Sequence, residues 1–255
     1  MEMGSVVVGM GIEPTKMMIP PAQDLITLKS FCDQTCTQRL PPDGVTVHSG
    51  FLHEHLAGRG LRLRHIRNGV ELPPIFEDNY YDFNYQDIRY ATHLVKIMPG
   101  DTLITECDYR TIGRENITVS GYSTKNEMCF IFLHVYPRVP TLELCLGGPQ
   151  PGVYAQAMNA EMTGWDNKTN MLLVKNPTMS GENVNILKYA YLYKWDTKAA
   201  RNANGRTKNG EFFQKTIDEG NYYESCNGGE EVEMLLEMIT ELLKVNNLPT
   251  YQLDD

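Results

Sequence analysis

The segment F-L-H-E-H-L-A-G, residues 51–58, carries two of the chain's six histidines, His53 and His55, one residue apart. On a β-strand, residues i and i+2 share a face, so the two imidazoles project side by side and Glu54 points the opposite way. Two neutral imidazoles presented together suit copper or zinc, but they do not close a site on their own. With six histidines in 255 residues, an accidental H-x-H arises in roughly one such chain in seven. The motif alone therefore does not decide against two half-buried strand histidines with hydrogen-bonded rings. A third ligand could come from any of 13 methionines. Met128 stands out because N-E-M-C-F-I-F-L-H-V-Y-P places it beside Cys129 at the start of a strand run, where a disulfide would fix the backbone next to the thioether. Two imidazoles and a thioether are soft enough to hold Cu(I) and open enough to admit a small molecule such as O2. Against that stands ordinary core packing, the usual place of a methionine. His48, His65, His93 and His134 stand singly and are read as structural or surface residues.

The elements that must position these residues are strands. From Val6 to about Tyr136, short β-branched or aromatic runs are separated by turn residues at Pro20-Pro21, Pro41-Pro42-Asp43-Gly44, Asn68-Gly69, Pro73-Pro74 and Pro99-Gly100-Asp101. The pattern predicts a mainly β sandwich or barrel. Asn68-Gly69 tolerates the positive φ of a type I′ turn, which makes L-R-L-R-H-I-R and V-E-L two strands of one hairpin. After Gly147-Gly148-Pro149 the character changes. E-E-V-E-M-L-L-E-M-I-T-E-L-L-K-V at 230–245 repeats apolar residues at helical spacing, and packing against its own domain is the expected role of that helix.

The 42% apolar content supports a packed core, and the net charge of −9 disfavours binding to nucleic acid. The one basic cluster, Arg59 to Arg67, alternates with leucine and reads as the exposed face of a strand. No stretch approaches the roughly 18 to 20 apolar residues of a transmembrane helix. The first residues have no basic region of the kind that begins a signal peptide. Six cysteines, Cys32, Cys36, Cys107, Cys129, Cys145 and Cys226, fit disulfides better than a thiolate zinc site, with connectivity left open by counting. Asn116-Ile-Thr and Asn167-Lys-Thr are candidate glycosylation sequons.

Taken together in order, L-H-E-H-L-A-G-R-G-L-R-L-R-H-I-R-N-G, P-G-D-T-L-I-T-E-C-D-Y and S-T-K-N-E-M-C-F-I-F-L-H-V-Y-P-R resemble the C-terminal catalytic domain of the copper type II, ascorbate-dependent monooxygenases. The resemblance covers roughly residues 1–146 and is strongest toward the DBH-like monooxygenase and dopamine beta-hydroxylase branch. It implies an antiparallel jelly-roll-like β-sandwich, with residues 147–255 as a partly helical extension. It also implies copper held by His53, His55 and Met128, which would be both metal ligands and catalytic residues. The cysteine pairs it implies are Cys32 with Cys145, Cys36 with Cys226, and Cys107 with Cys129, so that the extension is tied back to the sandwich.

The implied activity is hydroxylation of an activated C–H bond of a small, phenethylamine-like substrate, with O2 as oxidant and ascorbate as reductant. A second copper, held by three histidines in a preceding N-terminal domain, supplies an electron in the family. The chain contains no second histidine cluster. It is therefore expected to be a fragment or truncated form that binds copper with little coupled turnover. Amidating members carry arginine where this chain has Phe51, which disfavours a peptide carboxylate as substrate. Phe132 stands where tyrosine is usual, and Phe130 shares its face, so these three phenylalanines are the candidate substrate-pocket residues. The expected location is the secretory pathway or the extracellular space. A secreted copper-binding protein without catalysis is the alternative expectation.

Overall fold

Alternation decides one sheet and its absence decides the other. In I-T-L-K-S-F-C, residues 26–32, every second side chain is buried, as a sheet with one covered face requires. In V-V-V-G-M and F-I-F-L there is no alternation, and both faces of those strands are buried. The computed structural model describes residues 2–176, 182–195 and 208–226.

In chain order the strands are β1 (Gly4–Met10), β2 (Met18–Ile19), β3 (Ile26–Cys32), β4 (Val45–His53), β5 (Gly58–Arg67), β6 (Val70–Asp78), β7 (Ile88–Ile97), β8 (Thr102–Tyr109), β9 (Thr118–Val119), β10 (Phe130–Tyr136), β11 (Leu144–Pro149), β12 (Met162–Asp166), β13 (Met171–Lys175), β14 (Asn183–Asn185) and β15 (Tyr222–Cys226). Among the described residues, four helices join them: α1 (Gln34–Thr37), α2 (Pro151–Ala157), α3 (Ile186–Leu192) and α4 (Lys208–Glu219). The fold is mainly β with a small helical part toward the C-terminus. The predicted helix at 230–245 lies outside the described residues.

A six-stranded sheet, β15-β11-β1-β10-β4-β7, faces a four-stranded sheet, β3-β8-β5-β6. Val6, Val8 and Met10 of β1, Ile131 and Leu133 of β10, Leu28 of β3, and Leu61 and Leu63 of β5 meet in one core between them. The opposite face of the six-stranded sheet carries a second cluster, with Val7, Phe51, Met128, Phe130, Phe132, Leu144 and Leu146. The sandwich is antiparallel except that β1 and β11 pair in parallel. The predicted hairpin joins β5 to β6, with Asn68 at φ 52° and Gly69 at φ 75° as its two central residues.

The extension is built into the sandwich. β15 adds an edge strand beside β11, and α4 packs on α2 and β3. Gln214 of α4 exchanges two 2.9 Å hydrogen bonds with the backbone N–H and carbonyl of Thr27, which satisfies an exposed edge of β3. Cys32–Cys145 bridges the two sheets, Cys36–Cys226 ties α1 to β15, and Cys107–Cys129 joins β8 to the residue before β10. Asn116 and Asn167 are both exposed. No helix among the described residues is long and apolar enough to cross a membrane.

The basic stripe on β5 is neutralised on its own sheet. Arg62 lies 3.4 Å from Glu106 and 3.3 Å from Asp108, and Arg64 lies 2.8 Å from Glu106 and 2.6 Å from Glu71. At the end of the same strand the buried Asp101 carboxylate accepts from His65 Nε2 at 2.6 Å, from Arg67 twice at 2.8 Å, and from the Met98 N–H at 2.8 Å. Although burial alone would raise the Asp101 pKa, these donors hold it below the usual aspartate value. Asp101→Ala strands three donors, His65, Arg67 and the Met98 N–H, and is expected to cost about 3 kcal/mol in urea unfolding near neutral pH. With a depressed folded pKa, that contribution is present above the ordinary aspartate pKa and disappears as acid protonates the folded carboxylate.

Candidate metal centre

The β4–β10 ladder pairs His53 with Phe130 and Phe51 with Phe132. Carrying that antiparallel register two residues past each strand end sets Met128 level with His55, on the face shared by His53. The two imidazoles stand edge to face with centroids 5.1 Å apart. Both rings and Met128 are buried.

The tautomer of His53 follows from its neighbour. Gln86 donates its Nε2 to the Phe83 carbonyl at 2.8 Å, which turns its Oε1 toward His53 Nδ1 at 2.7 Å. Nδ1 must then carry the hydrogen, and Nε2 keeps a bare lone pair. That Nε2 is buried with no hydrogen-bond partner, which is the arrangement a metal ligand requires. Burial, then the adjacent His55, lowers the His53 pKa to about 4 against the opposing Gln86 contact, so the ring is neutral at physiological pH. Burial also lowers the His55 pKa, and the Asn126 carbonyl lies 3.2 Å from its Nδ1.

Met128 is held through its backbone. The Tyr109 hydroxyl donates to the Met128 carbonyl at 2.8 Å, and the adjoining Cys129 is covalently fixed to Cys107. Phe51 stacks on His53 with centroids 6.0 Å apart, and Phe132 lies 5.8 Å from Phe51 and 5.9 Å from Phe130. These rings form a buried apolar floor beside the histidines rather than the wall of an open cleft. A cleft of about 610 Å³ opens instead where Leu56 and Arg59 face Asn79 to Asn84. Phe83 from that loop meets His55 edge-on at 6.1 Å.

Glu54 is not part of this face. Its carboxylate packs where Gly58 has no side chain, since a Cβ there would stand 2.4 Å from Oε2. Both oxygens are buried without a hydrogen-bond partner, and burial followed by the nearby Glu127 raises the pKa well above the usual range. The remaining histidines lie elsewhere: His48 and His134 share the Ser49 hydroxyl at 3.0 and 2.8 Å, His65 binds Asp101, and His93 is exposed. Among the described residues, Cys32, Cys36, Cys145 and Glu224 bring ligand atoms within 4.8 Å of one another, but all three sulfurs are in disulfides.

The sequence profile of the copper type II ascorbate-dependent monooxygenase C-terminal domain matches residues 2–158. The chain belongs to the copper type II ascorbate-dependent monooxygenase family. It is 41% identical over 137 residues to MOXD1 homolog 1 of Drosophila melanogaster, covering 53% of this chain and 20% of that protein. It is 35% identical over 190 residues to DBH-like monooxygenase protein 1 of Mus musculus, covering 73% of this chain and 31% of that protein. Dopamine beta-hydroxylase of Homo sapiens is 39% identical over 137 residues, covering 53% of this chain and 22% of that protein. The chain thus spans about a fifth to a third of the length of these relatives.

For a copper monooxygenase domain, the donor set is chemically apt: one imidazole nitrogen with an unused lone pair, a second imidazole beside it, and a thioether on the adjoining segment. Gln86, Tyr109 and Glu127 are residues that periodicity did not mark. Gln86 sits in the irregular N-Y-Y-D-F-N-Y-Q loop, where no repeat singles out one position. Glu127 had a signal in its adjacency to Met128.

Two acids beside the site, Glu54 and Glu127, together with Glu224 on β15, set a pH dependence for the metal-free chain. Burial raises Glu127 and Glu224 to about 7 and holds Glu54 well above the usual carboxylate range. Their folded forms therefore bind more protons than the unfolded chain. His53, His55 and His134 shift downward and act in the opposite sense, but only below the ordinary histidine value of 6.5. Above that value the acids alone contribute, and the Tm of the metal-free chain is expected to fall by a few degrees between about pH 6.5 and pH 8. Calorimetry across that range checks the sign.

Proposed function

We propose that this chain is the oxygen-activating copper domain of a secretory-pathway monooxygenase, holding one copper through His53, His55 and Met128. The observation that carries the reading is the buried, unpartnered Nε2 of His53 on the face that the strand register shares with Met128. Copper held there would supply the one-electron chemistry by which one oxygen atom of O2 enters a C–H bond, the other leaving as water with two electrons that come from ascorbate. The protein's own residues supply the rest. Gln86 fixes the His53 tautomer, Asn126 orients His55, and burial keeps both rings neutral and ready to bind metal. Phe51, Phe130 and Phe132 keep water from one side of the site.

The reaction assigned to this site is ascorbate-dependent hydroxylation of a small phenethylamine-like substrate. The names of the relatives support that class, and Phe51 in the place of an arginine disfavours a peptide carboxylate. The second electron comes from a separate electron-transfer copper domain of the family, because the other four histidines of this chain are single or tied into structural contacts. Residues 1–146 form the copper domain and 147–255 the extension that β15 and Cys36–Cys226 fasten to it. The three disulfides fit an oxidising compartment, in which Asn116 and Asn167 are open to glycosylation.

Residues 1–255 are expected to bind one equivalent of Cu(I) and, with ascorbate, O2 and phenethylamine, to show little coupled hydroxylation until an electron-transfer copper domain is added. Copper titration followed by product analysis tests this. A stoichiometry of zero contradicts the copper site. One equivalent of copper with no hydroxylation in either condition supports a secreted copper-binding protein instead.

A further inference from the structure

The β4–β10 ladder ends at the His53–Phe130 pair, two residues short of His55 and Met128 on their respective segments. Beyond that point the Glu127 side chain spans the two segments. Its Oε2 accepts from the His55 backbone N–H at 2.9 Å and its Oε1 from the Ala57 N–H at 2.6 Å. Glu127 is fully buried, and the Arg114 guanidinium, 3.6 Å from Oε1, also donates to the Lys125 carbonyl at 3.0 Å. A buried carboxylate with both oxygens engaged by N–H donors is itself poorly placed to bind a metal, yet well placed to fix the backbone.

We propose that Glu127 is a positioning residue for the copper centre: by bracketing the His55–Ala57 backbone it sets the separation between the His55 imidazole and the Met128 thioether. This rests on the His53, His55 and Met128 reading above. The physical need is specific to the thioether. A methionine side chain has three rotatable bonds and a weak donor atom, so its contribution to binding depends on the backbone that delivers it. An imidazole already oriented by Gln86 or Asn126 depends on Glu127 far less.

The test is a double-mutant cycle on Cu(I) affinity, measured by competition with a chromogenic Cu(I) chelator, with Glu127→Gln and Met128→Ile as the two changes. Glu127→Gln keeps the size but replaces one acceptor oxygen with an NH2 group that cannot receive an N–H. It is expected to weaken Cu(I) binding by about tenfold, the scale of lost outer-sphere support. In the Met128→Ile background the same change is expected to shift affinity by no more than about twofold, because the group it positions is gone. An equal loss in both backgrounds, or no loss in either, overturns the proposal. If Met128→Ile itself leaves affinity unchanged, the copper reading at Met128 fails, and the positioning role with it. Near-ultraviolet circular dichroism monitors the fold. Should Glu127→Gln not fold, Glu127→Asp enters the same cycle, since its shorter side chain cannot bracket both N–H groups.

Discussion

His53→Ala loses tight copper binding. Cu(I) affinity is expected to fall by more than about a hundredfold, beyond the range typical of outer-sphere substitutions, while the Tm of the metal-free protein moves by only a few degrees. The two outcomes separate because of what His53 does without metal. Its Nε2 is buried with nothing to bind, so removing the ring relieves a desolvation penalty. The same change strands Gln86 Oε1 and opens a cavity beside Phe51, and these costs offset the relief. A chelator-competition titration beside a thermal melt measures both quantities. Unchanged Cu(I) affinity contradicts the role assigned to His53, whereas a large loss of Tm makes it a structural residue.

The second large effect belongs to the covalent bridge beside the thioether. Cys107→Ser combined with Cys129→Ser removes a crosslink with a sequence separation of 22, between two fully buried positions. The chain-entropy model puts such a loop at about 3 kcal/mol, which for a chain of this size corresponds to a Tm lower by about 10 °C. Cu(I) affinity is expected to fall as well, because the residue before Cys129 is the proposed thioether ligand, and the Tyr109 hydroxyl then holds its carbonyl without the covalent bridge beside it. The same double substitution at Cys36 and Cys226, remote from the site, is expected to lower Tm without weakening copper. Differential scanning calorimetry and Cu(I) competition on both pairs decide the matter. An equal affinity loss for both pairs would mean that general destabilisation, not local anchoring, lies behind the copper effect.

Local chemistry was the legible part of this fold. Asn68-Gly69 announces its hairpin because only residues tolerant of positive φ suit both central positions. The mainly β class follows from short β-branched runs between turn residues. The parallel pairing of β1 with β11 was not legible, since V-V-V and L-C-L say only that both faces are covered, not which neighbour covers them. At the site, the shared face of His53 and His55 follows from a period of two, while the selection of Met128 from 13 methionines required a family resemblance. Gln86, 33 residues beyond His53, is brought to it by the path of an irregular loop, and no periodic pattern encodes such a contact. Glu54 shows the converse: alternation turns it off the face shared by His53 and His55, but only the space left by Gly58 explains how a carboxyl group can be buried there.

X-ray absorption at the copper edge of the Cu(I)-loaded chain tests the central claim most directly. One sulfur scatterer together with two imidazoles is expected in the copper shell of the wild-type protein. A shell of nitrogen and oxygen alone, with no sulfur, contradicts it.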